Sequence, residues 1–182
     1  ANNNFSGNVI VAKGDKILFG KSYGRANYEW NIPQSFDTKI KIASVTKTFT
    51  SAAILILVKQ GKLSLTQTID TFISDFPSAH KITIEYLLKH MAGIPNPDYV
   101  KLNFRHHLRN DEILETIKSK PLLFEPGTRD SYSNGGYFVL AYIIEKVSGK
   151  SYDRFLRENI FQPLRMRNSG SDTYRELLAN RA

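Results

Sequence analysis

Apolar and polar residues alternate through FSGNVIVAKGDKILFGKSY, with a break at Gly14-Asp15, so Gly7 to Ala12 and Lys16 to Lys21 are predicted to pair as an antiparallel hairpin. Ile40 to Ala43 then forms a short approach to a segment of different period. From Val45 to Gln60 the apolar positions Phe49, Ala52, Ala53, Ile56 and Leu57 recur as one face of a helix, with Ser44 at its cap and Gly61 just past its end. A second helix is predicted from Thr83 to His90, opened by a threonine cap. A third lies in NFRHHLRNDEILETIKSKP, capped by Asn110 and prevented from extending by Pro121. Tyr137, Leu140, Ala141, Ile144 and Val147 mark a fourth that closes at Gly149. Ser151 caps a fifth, which carries Tyr152, Phe155 and Leu156 and stops before Pro163.

This pattern gives an α/β chain of the α+β type: an N-terminal antiparallel hairpin followed by a helical lobe. At 182 residues it is long enough to bury a core as one domain, with strands over 1–43 and a mainly helical region over 44–182. A lone hairpin does not make a stable sheet. Further strands are needed, from a cryptic segment or from outside the chain.

Composition removes several classes of function. The net charge of +8 favours anionic ligands or surfaces. No basic helix, paired-cysteine finger or aromatic RNA-binding strand accompanies it, so a nucleic-acid partner is not expected. Cysteine is absent, which excludes disulfides and thiolate chemistry. The four histidines have no metal-ligand spacing, and the adjacent His106-His107 reads as a loop or helix edge. The longest apolar run, Ala52 to Val58, is too short to span a bilayer. A chain beginning ANNNFSG, with neither methionine nor a leader, is compatible with an exported or periplasmic protein after signal removal.

Candidate chemistry begins at Ser44 and Lys47. Three residues advance a helix by about one turn, so the two side chains share one side. A neutral lysine there could take the serine proton, and the helix N-terminus would favour negative charge developing at the acyl group. Lysine ordinarily titrates near about 10.4, so a base role requires burial or a neighbouring cation. The bland alternative is a capping serine with a snorkelling surface lysine. Ser78 and Lys81 have the same spacing in a polar connection and act as an internal control. A second signal is Tyr132-Ser133-Asn134, where an extended segment directs Tyr132 and Asn134 to one side ahead of a glycine pair. Tyrosine can move a proton and the asparagine amide can hold a carbonyl or orient the lysine. Alternatively the tyrosine packs in a turn and Asn134 caps the next helix.

Taken together, Ile40 to Ser64, LLKHMAGIPN and FEPGTRDSYSNGGYFVLAYIIEKVSGKSY resemble the serine β-lactamase superfamily, in the branch of class C β-lactamases, D-alanyl-D-alanine carboxypeptidases (penicillin-binding proteins) and family VIII esterases. The resemblance implies an acyl-enzyme serine hydrolase acting on β-lactam, ester or D-amino-acid peptide carbonyls, with no cofactor. It makes Ser44 the nucleophile, Lys47 its base partner, Tyr132 the proton shuttle and Asn134 the substrate-binding or lysine-ordering amide. HMAGIPN is similar to the His-Thr/Ser-Gly segment of that group, with Met91 and Ala92 departing from it, and His90 is given no catalytic part. The third motif of the group, Lys/His-Thr/Ser-Gly on a late strand, is missing, and NSG at Asn168 to Gly170 reads as a turn. The chain is therefore expected to match only the N-terminal half of the family, a fragment lacking its C-terminal strands and helix and inactive in isolation. A complementing C-terminal chain, or association through the exposed sheet edge, would complete it. The alternative of a different class is a noncatalytic module that binds a peptide or acyl compound in the same cleft.

Overall fold

The computed structural model describes residues 5–97, 99, 109–172 and 180. The chain divides into two compact units, Ala1–Ala43 with Glu176–Ala182, and Ser44–Arg175.

In the first unit, β1 (Gly7–Lys13) and β2 (Lys16–Tyr23) pair antiparallel, with Gly7 opposite Tyr23 and Lys13 opposite Lys16. The register shifts between Val11 and Ala12, a bulge that the alternation does not announce. A second, cryptic pair follows in β3 (Arg25–Asn27) and β4 (Ile32–Pro33). These strands are too short to carry an alternating signal, and Pro33 removes a ladder donor. Local bonds close the turn instead: the Trp30 amide donates to Asn27 Oδ1 at 2.8 Å and the Gln34 amide to the Gly24 carbonyl at 3.1 Å. Ile10, Val11, Ile17 and Leu18 of the hairpin are exposed.

The second unit is helical. A 3-10 turn at Ala43–Val45 leads into α1 (Thr46–Lys59), followed by α2 (Ile84–Leu88), α3 (Asn110–Lys118), α4 (Asn134–Ser148) and α5 (Tyr152–Leu156), which runs into a π turn at Arg157–Phe161. α4 is the central element, packing on α1, α2, α3 and α5. Val139, Leu140, Ile143 and Ile144 are buried with Ala53, Ile54 and Leu57 of α1 and Ile113, Leu114 and Ile117 of α3. Each buried valine, leucine or isoleucine among them contributes about 1.5–3 kcal/mol of burial. Core packing of this kind keeps the start of α4 and the start of α1 in a constant relation.

Several element ends follow their side chains. Thr83 Oγ1 accepts from the Tyr86 amide and Ser151 Oγ from the Arg154 amide, as their positions predict. Gly149 ends α4 at φ +67, in the left-handed region that suits glycine. Ser44 does not cap α1: Val45 occupies the cap position, so the serine hydroxyl is left for other partners. α3 starts at Asn110 itself, one residue before the expected start, and the Arg109 amide is satisfied by the Glu112 carboxylate at 2.8 Å. The buried face of α1 is also rotated. Thr50, Ala53, Ile54 and Leu57 are buried, whereas Phe49, Ala52 and Ile56 are only partly so. Neighbours on two sides cause this, with α4 on one and the π turn on the other, where Phe49 meets Phe161 edge to face at 5.4 Å.

The α/β assignment with N-terminal strands is seen, but the expectation that C-terminal structure is lacking is corrected. α3, α4, α5 and the π turn occupy the second half of the chain. Their apolar faces pack them together, α3 on α4, and α4, α5 and the π turn on α1. Asn168 lies in a turn closed by the Ser169 amide, which donates to the Met166 carbonyl at 3.2 Å, and Gly170 follows it outside any helix or strand. His106-His107 lies outside the described residues. Among the described residues, no helix is long and apolar enough to cross a membrane.

Candidate active site

Ser44 sits in the 3-10 turn ahead of α1, exposed, and directly follows Ala43, whose φ of +44 is a strained value for a residue with a Cβ. Lys47 is one turn further, in the first turn of α1. Tyr132 comes from the extended segment before α4, and Asn134 is the first residue of that helix. All four meet. Tyr132 Oη donates to Ser44 Oγ at 2.7 Å, and Lys47 Nζ lies 3.3 Å from the same oxygen. Lys47 also donates to Asn134 Oδ1 at 2.7 Å, and its ammonium stands 4.6 Å from the centre of the Tyr132 ring. The serine oxygen therefore receives two donors, one of them cationic when Lys47 is protonated. Hydrogen bonding from Lys47, and next from Ser44, holds the Tyr132 phenol below its usual value.

The control pair behaves differently. Ser78 opens a 3-10 turn in the left-handed region, and Lys81 is engaged by Glu125 at 2.8 Å. Spacing alone is shared; a convergent tyrosine and asparagine are not.

Local sequence explains how the 132–134 segment is held. Ser133 caps α4: its hydroxyl accepts from the Gly136 amide at 3.0 Å and donates to the Ile94 carbonyl at 2.7 Å. The Asn134 amide donates to Asn96 Oδ1 at 2.8 Å, and Asn134 Nδ2 donates to Tyr99 Oη at 3.0 Å. Gly135 permits the close approach of this helix start to the 94–96 segment, because a Cβ there would collide with the Pro95 carbonyl oxygen. Behind Lys47, Tyr137 Oη links the Ser51 hydroxyl at 3.2 Å to the Leu88 carbonyl at 3.1 Å.

Sequence reasoning missed these supports. Asn96 and Tyr99 stand in a proline-rich loop with no periodicity, and Tyr137 reads only as a helix core position. Gly135 alone carries a signal, as half of the glycine pair. His90 is also beside the site, with its ring 4.7 Å from that of Tyr132. Among the described residues no three His, Asp or Glu side chains gather as a metal-binding group.

Comparison with known proteins gives the same picture at family level. The chain is 36% identical over 169 residues to Penicillin-binding protein 4* of Bacillus subtilis (strain 168), covering 89% of this chain and 37% of that protein. The crystal structure of a penicillin binding protein from Bacillus halodurans superposes with a TM-score of 0.87 at 33% identity, over 97% of this chain and 57% of that one. D-amino acid amidase from Ochrobactrum anthropi SV3 superposes with a TM-score of 0.84 at 26% identity, over 94% of this chain and 48% of that one. The chain thus spans between about a third and three fifths of the length of these relatives. The Beta-lactamase family model matches residues 3–180. This corrects the expectation of a match confined to an N-terminal half, because the match runs over nearly the whole chain and includes α3, α4 and α5. With ancestry among serine hydrolases written across both its sequence and its fold, the chain belongs to the Beta-lactamase family.

Proposed function

We propose that this chain carries the acylation half-site of a serine hydrolase in which Ser44 is the nucleophile, Lys47 and Tyr132 share the proton it releases, and Asn134 orders Lys47 and binds the substrate amide or carbonyl. The observation that carries this reading is the convergence on one serine oxygen of Tyr132 Oη at 2.7 Å and Lys47 Nζ at 3.3 Å.

With Lys47 a cation and Tyr132 a neutral phenol, both donate to Ser44 Oγ and neither can accept its proton. Removing one proton from the pair changes this. A Tyr132 phenolate, stabilised by Lys47, turns from donor to acceptor and takes the Ser44 proton as Oγ attacks the carbonyl carbon. Lys47 lies against the Tyr132 ring, so the reactive form is assigned to the pair and not to either residue alone. The oxyanion formed in that step meets the Ser44 backbone N–H, in the turn just ahead of α1. Collapse of the tetrahedral adduct breaks the bond to the leaving group, which receives the proton from Tyr132. Water then repeats the sequence on the acyl-serine and releases the acid.

The substrate class is a β-lactam, an ester or a D-amino-acid peptide, attacked at its carbonyl carbon. The named relatives, penicillin-binding proteins and a D-amino acid amidase, support that choice. Incubation with a penicillin, a D-alanyl-D-alanine peptide and a short-chain ester, each followed by mass measurement and product analysis, tests it. Covalent adduct on Ser44 with turnover of any of the three supports the reading. Reversible binding without adduct would replace it with a noncatalytic binding module.

A further inference from the structure

His90 follows α2 at φ +59, a left-handed value that a residue with a Cβ seldom adopts. What this conformation achieves is visible in its partners. The His90 carbonyl accepts the Ser131 amide at 2.9 Å, and His90 Nδ1 accepts the Ser133 amide at 3.1 Å. One residue therefore grips the chain on both sides of Tyr132. Its ring also lies 4.7 Å from the Tyr132 ring and 5.1 Å from the Tyr137 ring, so the phenol that reaches Ser44 rests on the imidazole.

Nδ1 can accept an amide proton only when it carries none itself, which places the single ring proton of neutral His90 on Nε2. An imidazolium would present an N–H to the Ser133 N–H, two donors face to face. We propose that His90 is a positioning residue for Tyr132, whose neutral form holds the Ser131–Ser133 segment against Ser44 and whose protonation releases it. The catalytic consequence rests on the reading of Tyr132 given above; the mechanical coupling of His90 to the segment does not.

The charged and titratable groups around the ring favour the holding form. Partial burial acts first, and the Lys47 cation on α1 second, to keep His90 below its ordinary value of 6.5, with the Ser133 backbone contact and then Asp130 on the preceding segment acting in the opposite sense. Tyr132 and, from α4, Tyr137 complete the surround with uncharged phenol rings. The switch is therefore set to open on the acid side of neutrality, below about pH 6.5.

The test combines a ¹⁵N NMR pH titration of the whole chain with the rate of Ser44 acylation by a penicillin or fluorophosphonate probe. In the wild-type protein the His90 ring, the Ser133 amide and the Tyr132 ring should titrate together below about pH 6.5, and over the same interval acylation should fall about tenfold further than loss of the reactive Lys47–Tyr132 form accounts for, the worth of one lost hydrogen bond. H90A should acylate about tenfold more slowly even at about pH 8. H90N should recover most of that loss, because asparagine tolerates the left-handed backbone and offers Oδ1 to the Ser133 amide, and its rate should fall with pH only as the Lys47–Tyr132 pair dictates, without the additional step. A Ser133 amide that does not follow His90, or an additional acid step that survives in H90N beyond the fall set by the Lys47–Tyr132 pair, would overturn the inference. Absence of any Ser44 adduct in the wild type would instead remove the acyl-serine reading, while the joint titration of His90 and Ser133 still decides the coupling.

Discussion

Lys47 Nζ donates to Asn134 Oδ1 at 2.7 Å although 87 positions separate the two residues in the chain. One stands in the first turn of α1 and the other opens α4, so packing of those two helices sets the distance. A neutral amide at this point orients the lysine without adding charge. Asn134→Asp would place a carboxylate against the ammonium and hold Lys47 protonated. The rate of Ser44 acylation at about pH 7 should drop by about 10²-fold, and its pH profile should move to higher pH. A pH series of probe labelling on both proteins checks the direction.

Tyr132→Phe removes the shorter of the two bonds to Ser44 Oγ, and acylation should fall by about 10²–10⁴-fold. The sign of the pH dependence follows from the pair. Its reactive form has lost a proton, and Lys47 and Ser44 hold the phenol below its usual value of 10.0, so the wild-type rate should rise with pH through a midpoint below that value and be lost as pH falls. That limb should vanish in the variant, which a rate profile over the alkaline range would reveal.

Ser133→Ala should act on stability. Its buried hydroxyl serves the Gly136 amide and the Ile94 carbonyl, so its loss uncaps α4 and leaves a buried acceptor unpaired. The expected cost is about 1–2 kcal/mol. Urea unfolding followed by circular dichroism measures it as a lower midpoint with unchanged slope.

Gly135→Ala tests the close approach beside the site. The added Cβ would meet the Pro95 carbonyl oxygen and lie 3.0 Å from Ile94 Cγ2, and backbone does not yield as a side chain would. The variant should lose about 1–3 kcal/mol and, by displacing the start of α4, slow acylation as well. Gly149→Ala is the contrasting case, because nothing lies within 4 Å of the added methyl group but φ is +67. It should lose stability without changing the acylation rate.

The four residues proposed for the site carry local signals in the chain, a one-turn interval for Ser44 and Lys47 and a two-residue interval for Tyr132 and Asn134, but spacing alone did not single them out, since Ser78 and Lys81 share it; the combined segments did. The helices were legible through periodicity and the Thr83 and Ser151 caps. What stays hidden in the sequence depends on tertiary neighbours. The rotation of the α1 face requires knowing that both α4 and the π turn flank it. Asn96 and Tyr99 bond Asn134, and His90 bonds the Ser133 amide and lies against the Tyr132 ring, all through contacts between distant parts of the chain that no periodicity records. The cryptic strands β3 and β4 are too short for alternation to show.

The most direct test of the central claim is intact mass after exposure to a penicillin or fluorophosphonate probe, followed by peptide mapping of the wild type and Ser44→Ala. The account predicts one adduct per chain on the peptide that contains Ser44, and none in the variant. No adduct in the wild type, or an adduct that persists in Ser44→Ala, would contradict it.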